Sequence, residues 1–256
     1  MKYKLFFYVF SLMGLSLSLP TIASDDDLTR ARVGVSSNNF TTIYSGGDLD
    51  ASFKSLNLGL SYIRSDAIYF DLAYKHTLSG SWEAYRNVFT LDPESGEPVF
   101  VDEGMRKDDY DRNDITLTVG KVLDTGVQVF AGYQNSATDI AGQWIVVDEE
   151  GFDVSGFFIG VGKSFKVNKG SLNINAAYGS MSAELIDGRG DAHDSTSGSG
   201  YSVGATYTIY LNDSLSANFE LKQQKYDYDF DDNAPLTAGD DKMTMIGINI
   251  ARPFQM

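Results

Sequence analysis

The sequence predicts an all-β protein: a ten-stranded antiparallel transmembrane β-barrel with long extracellular loops and short periplasmic turns. Three observations support this fold class. Apolar and polar residues alternate along about ten segments, as they do when successive side chains of a strand point to opposite faces. The chain begins with a secretion signal. Tight turns and longer links then alternate between the segments, which is the layout of a barrel whose strands cross a membrane.

The start of the chain has the pattern of a signal peptide. Lys2 and Lys4 provide a charged start, an apolar stretch covers residues 5–19, and small residues lead up to Ala23. We predict cleavage after Ala23, so that 1–23 is a signal peptide and 24–256 is a single outer-membrane β-barrel domain. The alternative is an uncleaved anchor, but the apolar stretch is shorter than the ~20 residues of a spanning helix.

Composition excludes several functions. The chain carries 20 Lys and Arg against 35 Asp and Glu, a net charge of −15, which argues against nucleic-acid binding through the overall field. It has no cysteine, which excludes disulfides, thiolate nucleophiles and thiolate metal sites. No stretch after residue 24 approaches the ~20 apolar residues of a spanning helix, so a membrane location requires strands.

The alternation is clearest at the end of the chain. Ile246, Ile248 and Ile250 share one face, and Gly247 and Asn249 lie on the other. The ten predicted strands are 29–38, 53–63, 67–78, 114–123, 127–136, 154–165, 171–183, 200–211, 214–226 and 242–254.

The predicted connections alternate between short and long. Four tight turns and five long loops place both chain ends on the periplasmic side. The turns are 64–66, 124–126, 167–170 and 212–213. The loops are 40–52, 79–113, 137–153, 184–199 and 227–241.

Alternation alone does not say which face of the strands is inside. A soluble barrel would have an apolar interior. A polar interior is favoured because the polar faces are rich in Gly, Ser, Thr and Asn, which fit a narrow lumen, whereas the apolar faces carry large branched and aromatic residues. The secretion signal supplies the compartment. We therefore predict that the apolar faces contact lipid.

Charged residues on the polar faces support the same arrangement. Facing lipid, each would cost a few kcal/mol near the membrane midplane, whereas opposite charges facing inward can pair. A barrel of this size is only slightly wider than an eight-stranded one, whose interior is filled by side chains. We therefore predict a plugged polar core rather than a wide pore. The predicted inward charges are Arg30, Arg32, Asp71, Lys75, Glu220 and Lys222.

Aromatic residues on the apolar faces predict two interfacial rings. Scattered strand aromatics are the alternative, since Tyr and Phe favour strands in any case. The periplasmic ring consists of Tyr62, Phe70, Phe165 and Phe254. The outer ring consists of Tyr74, Tyr133, Phe157, Tyr178 and Tyr201.

The ninth strand changes the face of its apolar residues. Leu215 to Leu221 set one parity, while Tyr226, Tyr228 and Phe230 fall on the other. A single extra residue, a β-bulge, produces such a change. We predict either a bulge near 223–225 or a strand that has already risen above the lipid. A bulge would turn these aromatic side chains outward and the intervening aspartates towards the mouth.

Three of those aspartates are the candidate metal ligands. On an extended segment Asp227, Asp229 and Asp231 share one face, with ~6–7 Å between successive side chains. Carboxylates at this spacing suit Ca²⁺ or another hard cation. The alternative is a solvated acidic hairpin. The sequence indicates no other cofactor.

Parts of the chain resemble known outer-membrane proteins. Residues 114–120 and 129–133 resemble the fourth and fifth strands of a broad group of proteobacterial outer-membrane β-barrel proteins. The last strand, with Phe254 in phase with its isoleucines, is similar to closing strands recognised by the barrel-assembly machinery. The resemblance implies a fold and a bacterial outer-membrane location, without a common activity.

Ten strands with five outer loops also resemble the architecture of the omptins, which are outer-membrane proteases. That resemblance implies an Asp–His couple in the fourth loop, where this chain has Asp191 and His193. It also implies an Asp pair in the second loop, where this chain has Asp108 and Asp109. These two precede the fourth strand, whereas the family's pair follows the third.

The sequence therefore favours a monomeric, non-enzymatic surface or envelope protein that binds ions or small ligands at an acidic mouth. The alternatives are a narrow, porin-like channel for small solutes and an omptin-like endopeptidase. Expected partners are outer-membrane lipid, lipopolysaccharide and the assembly machinery. Basic residues near the outer rim are predicted to pair with lipopolysaccharide phosphates or with local carboxylates. These residues are Lys75, Arg86, Lys107 and Arg112.

Overall fold

The computed structural model describes residues 27–44, 47–91, 98–141, 150–186, 192–228 and 239–254, which form ten strands. In this part of the chain no helix has the length and hydrophobicity needed to cross a membrane. The strands are β1 (Leu28–Tyr44), β2 (Gly47–Ile63), β3 (Ile68–Leu91), β4 (Pro98–Val122), β5 (Val127–Ala141), β6 (Glu150–Val167), β7 (Gly170–Ile186), β8 (Ala192–Asn212), β9 (Leu215–Tyr228) and β10 (Gly239–Phe254).

The ten strands form one closed antiparallel barrel. Each strand pairs with its neighbours in sequence, and β10 pairs with β1 from Thr29 opposite Phe254 to Ile43 opposite Asp240. Closure leaves no sheet edge with unpaired backbone groups, which is a requirement for strands surrounded by lipid. The predicted all-β class, the antiparallel barrel and the strand number are confirmed.

The four predicted tight turns are also confirmed. In the first, the Ala67 N–H donates to the Arg64 carbonyl over 2.9 Å, and Ala67 has a positive φ of 64°. In the second, Gly126 has a φ of 75°, a conformation that glycine adopts without steric cost. Strand ends at these turns lie within two residues of the predicted positions.

The predicted outer loop boundaries are wrong. Much of the range predicted as the second loop, 79–113, belongs to β3 and β4, which run to Leu91 and from Pro98. The other four predicted loops likewise contain strand residues that continue β1, β2 and β5 to β10. The reason lies in the side chains, because the apolar residues change faces partway along each strand.

The half of the barrel next to the tight turns has an apolar exterior and a polar interior; we call it the membrane half. Ile159 and Ile246 are 67% and 63% exposed on the outside, whereas Asn57 and Asn173 are buried inside. The predicted outer aromatic ring marks its upper limit: Tyr133 lies 5.0 Å from Phe157 between ring centroids, and Tyr178 lies opposite Tyr201. The predicted assignment of apolar faces to the outside is confirmed.

The strand segments beyond this ring have the opposite polarity; we call them the outer half. Their exterior is polar and exposed, as at Lys54, Asp139 and Ser182. Their interior carries two buried apolar clusters. One consists of Phe40, Ala51, Phe53, Tyr110 and Met243. The other consists of Val154, Met181, Ala183 and Tyr228, with Phe152 and Tyr226 packed against it.

The predicted β-bulge near 223–225 is wrong. β9 pairs with both β8 and β10 without a register shift through this segment. The side chains of Tyr226 and Tyr228 therefore stay on the interior face that Glu220 and Gln224 occupy, and Asp227 is exposed on the exterior. The second alternative explains the pattern: the strand has risen beyond its apolar exterior, where aromatic residues belong inside.

Candidate functional site

The barrel interior is the candidate site, and its first layer is aromatic. Tyr69, Phe130 and Phe158 form a buried cluster towards the end with the tight turns. Each ring occupies space left by a glycine on the adjacent strand; a Cβ at Gly160, for example, would come within 2.3 Å of the Phe130 ring. The pairs are Tyr69 with Gly120, Phe130 with Gly160, and Phe158 with Gly132. Sequence reasoning missed this layer, although the inward glycines opposite aromatic residues were a readable signal.

The second layer is ionic, and its first part joins three strands. Arg32 of β1 donates from Nη2 to Asp71 Oδ2 of β3 over 2.6 Å, and both side chains are almost completely buried. Ser61 of β2 donates to the other Asp71 oxygen and accepts from Arg32 Nη1. Asp71 is thus satisfied by one charged and one neutral donor, which compensates part of the cost of burying its charge.

The second part of the ionic layer centres on Asp114 of β4. Its Oδ1 accepts from Arg112 Nε at 2.8 Å, and its Oδ2 lies 3.7 Å from Lys75 Nζ of β3. The Arg112 guanidinium lies 5.5 Å from the Phe40 ring centroid, and Lys75 Nζ lies 5.4 Å from that of Phe53. The two cations therefore join the ionic layer to the apolar cluster above it.

This arrangement corrects two predicted lipopolysaccharide contacts. Lys75 and Arg112 point into the barrel and are buried, so neither is available at the outer rim. The side chains of Arg86 and Lys107 lie outside the described residues. The predicted inward charges are confirmed: Arg30, Arg32, Asp71, Lys75 and Glu220 are all buried, and Lys222 faces the same interior as Glu220.

A cavity lies beside the ionic layer, against a glycine-rich wall formed by β7 and β8. Its volume accessible to water is about 30 Å³, and Asp71, Thr116, Thr118, Glu220 and Lys222 contribute to its lining. The hydroxyls of Thr116 and Thr118 are buried without a hydrogen-bond partner within the protein. Buried hydroxyls of this kind ordinarily bind an ordered water or a ligand atom.

The third layer is the apolar interior of the outer half. The Tyr226 hydroxyl of β9 donates to Gln134 Oε1 of β5 at 3.5 Å, which spans the lumen between strands on opposite walls. Gln224 Nε2 in turn donates to the Tyr226 hydroxyl at 2.8 Å. The cavity at this level, bordered by Arg112 and Asp241, measures about 10 Å³, which is room for one water.

The predicted metal ligands are only partly within the described residues. Asp227 is exposed on the exterior of β9, and its Oδ1 lies 2.7 Å from Lys225 Nζ. Asp229 and Asp231 lie outside the described residues. Among the residues that the structure describes, no group of three or more His, Asp or Glu is arranged to hold a metal ion. The metal site stays a prediction.

The described residues do not test the predicted catalytic site, because most of its side chains lie outside them. Asp109 is exposed on the exterior of β4, next to the buried Tyr110. The backbone of Asp108 lies opposite Trp82, and His193 belongs to β8, on another part of the wall. The side chains of Asp108 and His193, and the whole of Asp191, lie outside the described residues.

One polar contact lies at the end with the tight turns, outside the interior. The Asp27 carboxylate precedes β1, accepts a hydrogen bond from the Tyr62 hydroxyl, and accepts another from the Ser65 backbone N–H at 2.9 Å. The Tyr62 hydrogen bond, followed by that of Ser65, lowers the pKa of Asp27 below its usual value. The contact connects the start of the barrel to its first tight turn.

No protein-family model matches this chain, and no curated protein matches its sequence. Several solved structures are similar to it. The outer-membrane protease OmpT from Escherichia coli matches with a TM-score of 0.52 at 14% identity, covering 89% of this chain and 97% of that one. The β domain of the Bordetella autotransporter BrkA matches with a TM-score of 0.46 at 8% identity, covering 88% and 99% of the two chains.

An outer-membrane channel from Pseudomonas putida F1 matches with a TM-score of 0.47 at 11% identity, covering 92% of this chain and 99% of that one. The chain therefore has the fold of a bacterial outer-membrane β-barrel, with an omptin-like architecture. The bacterial outer-membrane location stays a prediction. At these identities the likeness concerns the fold and does not extend to an activity.

Proposed function

We propose that this protein is a non-conducting outer-membrane surface protein whose interior is a permanent plug and whose mouth binds ions or small ligands. One observation carries the proposal: the lumen is crossed by three successive layers of packed side chains. The aromatic layer, the ionic layer and the outer apolar layer follow one another along the barrel axis. Tyr226 and Gln134 span the lumen between opposite walls.

The size of the internal spaces supports a plug. The cavity beside the ionic layer and the one at the level of Tyr226 measure about 30 and 10 Å³, which is room for a few waters rather than a hydrated solute. Widening either one would separate buried ion pairs such as Arg32–Asp71, at a cost that buried charges make large. The porin-like alternative requires a lumen that stays open without such a cost.

Single-channel recording in planar bilayers tests the plug. The unmodified protein should show no steady conductance. Lys222→Ala removes an inward side chain from the cavity lining and should introduce current, as should Glu220→Ala beside it. The matched control is Lys225→Ala on the exterior of the same strand, which should leave the bilayer silent. A large, stable conductance in the unmodified protein would favour the narrow pore instead.

Ion binding at the mouth is the second part of the proposal. Its basis is the run of acidic residues that follows β9, with Asp227 exposed at the strand end. Because Asp227 lies on the exterior of β9, we expect a bound cation on the rim rather than over the lumen. Calorimetric titration should show Ca²⁺ binding at millimolar concentration that weakens in Asp229→Asn. Unchanged heat in that variant would leave only a solvated acidic segment.

Proteolysis is the remaining alternative and depends on Asp108, Asp109, Asp191 and His193. Asp109 is exposed on the exterior of β4, which argues against a place for its side chain in a groove at the mouth. If the alternative holds, protein purified with lipopolysaccharide should cleave peptides at basic sites, and His193→Ala should abolish the cleavage. A peptide library left intact would support the non-enzymatic assignment.

A further inference from the structure

We propose that the exterior of β4, β5 and β6 near the tight turns is a binding site for one anionic phospholipid, whose phosphate is held by Lys121 and Lys163. The site lies on the outside of the membrane half and goes beyond the proposed plug and mouth. The proposal rests on the positions of the two lysines, on the charges around them, and on the shape of the apolar surface between them.

The two lysines flank β5 on the exterior of the barrel. Lys121 of β4 lies opposite Val129 of β5, which lies opposite Val161 of β6. Lys163 follows Val161 on the same face, two residues nearer the tight turns. Two strand spacings and two residues of rise separate the lysine Cα atoms by about 12 Å, a gap that two extended lysine side chains can close around one phosphate.

The offset in register places both lysines at one height along the barrel axis. Strands of a closed barrel tilt, so residues at the same height are offset along neighbouring strands. The outer aromatic ring shows how large this offset is. Between β6 and β8, also two strands apart, Phe157 and Tyr201 differ by the same two residues in the same direction. One headgroup can therefore contact both lysines without leaving its level in the membrane.

The charges of the two lysines are not neutralised within the described part of the protein. Both side chains are exposed, and neither forms an ion pair with a described residue. Between the outer aromatic ring and the tight turns, the described exterior positions of the strands hold no Asp or Glu. The whole chain has a net charge of −15, so this positive surface is a local feature. It is complementary to an anionic headgroup.

An aromatic ring marks this level as the edge of the apolar exterior. Lys163 Nζ lies 5.8 Å from the ring centroid of Phe165, which is exposed on the same face. Aromatic side chains favour the depth of the lipid headgroups, and a neighbouring lysine extends its ammonium group to the same depth. Lys163 is thus placed where lipid phosphates lie.

The apolar surface next to the lysines is recessed along β5. Ala131 of β5 lies directly between Val119 of β4 and Ile159 of β6, and both of these larger side chains are exposed. An acyl chain that follows this recess has its headgroup at the level of the lysines. The recess adds apolar contact that a free phosphate cannot make, so the ligand is a phospholipid.

Native mass spectrometry of the full chain in non-ionic detergent tests the site. The probes are phosphatidylglycerol and phosphatidylcholine with identical acyl chains. The unmodified protein should bind the first phosphatidylglycerol more tightly than the first phosphatidylcholine. Lys121→Gln and Lys163→Gln should each weaken phosphatidylglycerol binding roughly fivefold, and together more than about tenfold. Neither substitution should change the affinity for phosphatidylcholine.

Two further variants separate a site from a general attraction. Lys166→Gln with Lys169→Gln removes two exposed charges beside the β6–β7 turn and should retain the preference for phosphatidylglycerol. Ala131→Phe fills the recess with both lysines intact and should weaken the binding of both lipids.

The proposal is overturned if the unmodified protein does not prefer phosphatidylglycerol, or if the two double lysine variants lose the preference equally. It is also overturned if Ala131→Phe leaves both affinities unchanged. Bilayer conductance and Ca²⁺ titration are separate measurements, so a missing lipid site leaves the plug and the mouth untouched.

Discussion

Four residues of β7 show how the membrane half and the outer half of the barrel differ. In the membrane half, Asn173 is buried inside and Ile174 is 49% exposed outside. In the outer half of the same strand, Ser182 is exposed outside and Ala183 is buried inside. The alternation of side chains continues unbroken between the two pairs, while the polar and apolar roles are exchanged.

The comparison shows that the apolar face of a strand is the face that does not contact water. Around the membrane half the exterior faces lipid, so apolar residues lie outside and polar residues must satisfy one another inside. Around the outer half the exterior faces water, so apolar residues are buried inside, as in a soluble barrel. The soluble and membrane arrangements, which are alternatives for a whole barrel, thus occupy successive segments of one barrel.

The largest expected difference concerns the charged pairs of the two halves. Arg32→Ala leaves Asp71 buried without its cation, and we expect a loss of about 3–5 kcal/mol in unfolding free energy. Lys225→Ala breaks the exposed pair with Asp227 and should cost below about 1 kcal/mol. Urea unfolding of protein reconstituted in thin-lipid vesicles measures both. Equal losses would mean that the interior of the membrane half is hydrated like the surface.

A lysine placed on the exterior of β7 should lower the unfolding free energy more in the membrane half than in the outer half. This difference should be smaller than that between the two charged pairs. Ile174→Lys puts a charge on the lipid-facing side, where it should cost about 2–4 kcal/mol. Ser182→Lys puts the same charge on the same face of the outer half and should change stability by about 0.5 kcal/mol or less. The same vesicle-based unfolding applies. A penalty at Ser182 as large as that at Ile174 would place both positions in lipid and end the comparison.

The smallest effect is expected at Asp27, which belongs to neither interior. Its pKa is lowered in the folded protein, so its contacts stabilise the fold above the usual pKa of 3.8, and this contribution is lost as the pH falls through the folded pKa. Tyr62→Phe removes the main cause and should raise the Asp27 pKa towards the usual value. Carboxyl ¹³C titration by NMR reports it directly. An unchanged midpoint in Tyr62→Phe would show that the hydrogen bond does not form in solution.

Much of the membrane half could be predicted from the sequence. Strand ends at the tight turns depend on local residues such as Gly126 and Asn168, whose backbone conformations the turns require. Apolar exteriors such as that of β10 follow from alternation over Ile246, Ile248 and Ile250. Inward charges followed from the cost of exposing them to lipid. Each inference needed only neighbours along the chain and the nature of the solvent.

The outer half was mostly missed, for a physical reason. Its strands alternate in the same way, but their apolar residues face the interior. Strands were identified by an apolar side that faces lipid, so the prediction stopped where that side becomes polar. The change of parity in β9 therefore suggested a bulge, although the backbone continues without one. The relevant signal was that Tyr226 and Tyr228 lie on the same face as Glu220 and Gln224. Aromatic residues on that face indicate that the barrel interior is apolar at this level, not that the strand is distorted.

The sequence by itself determined the strand number, the tight turns, the lipid-facing sides and the presence of buried charge, because these depend on local periodicity and on solvation. Only the tertiary structure decided which charges meet, since Arg32 of β1 reaches past β2 to Asp71 of β3, and the register of β3 with β4 sets Lys75 directly opposite Asp114. It also decided that Tyr226 and Gln134, 92 residues apart, face each other across the lumen. Such contacts follow from the closure of the barrel and the register of its strands, and the alternation within a single strand carries no information on either.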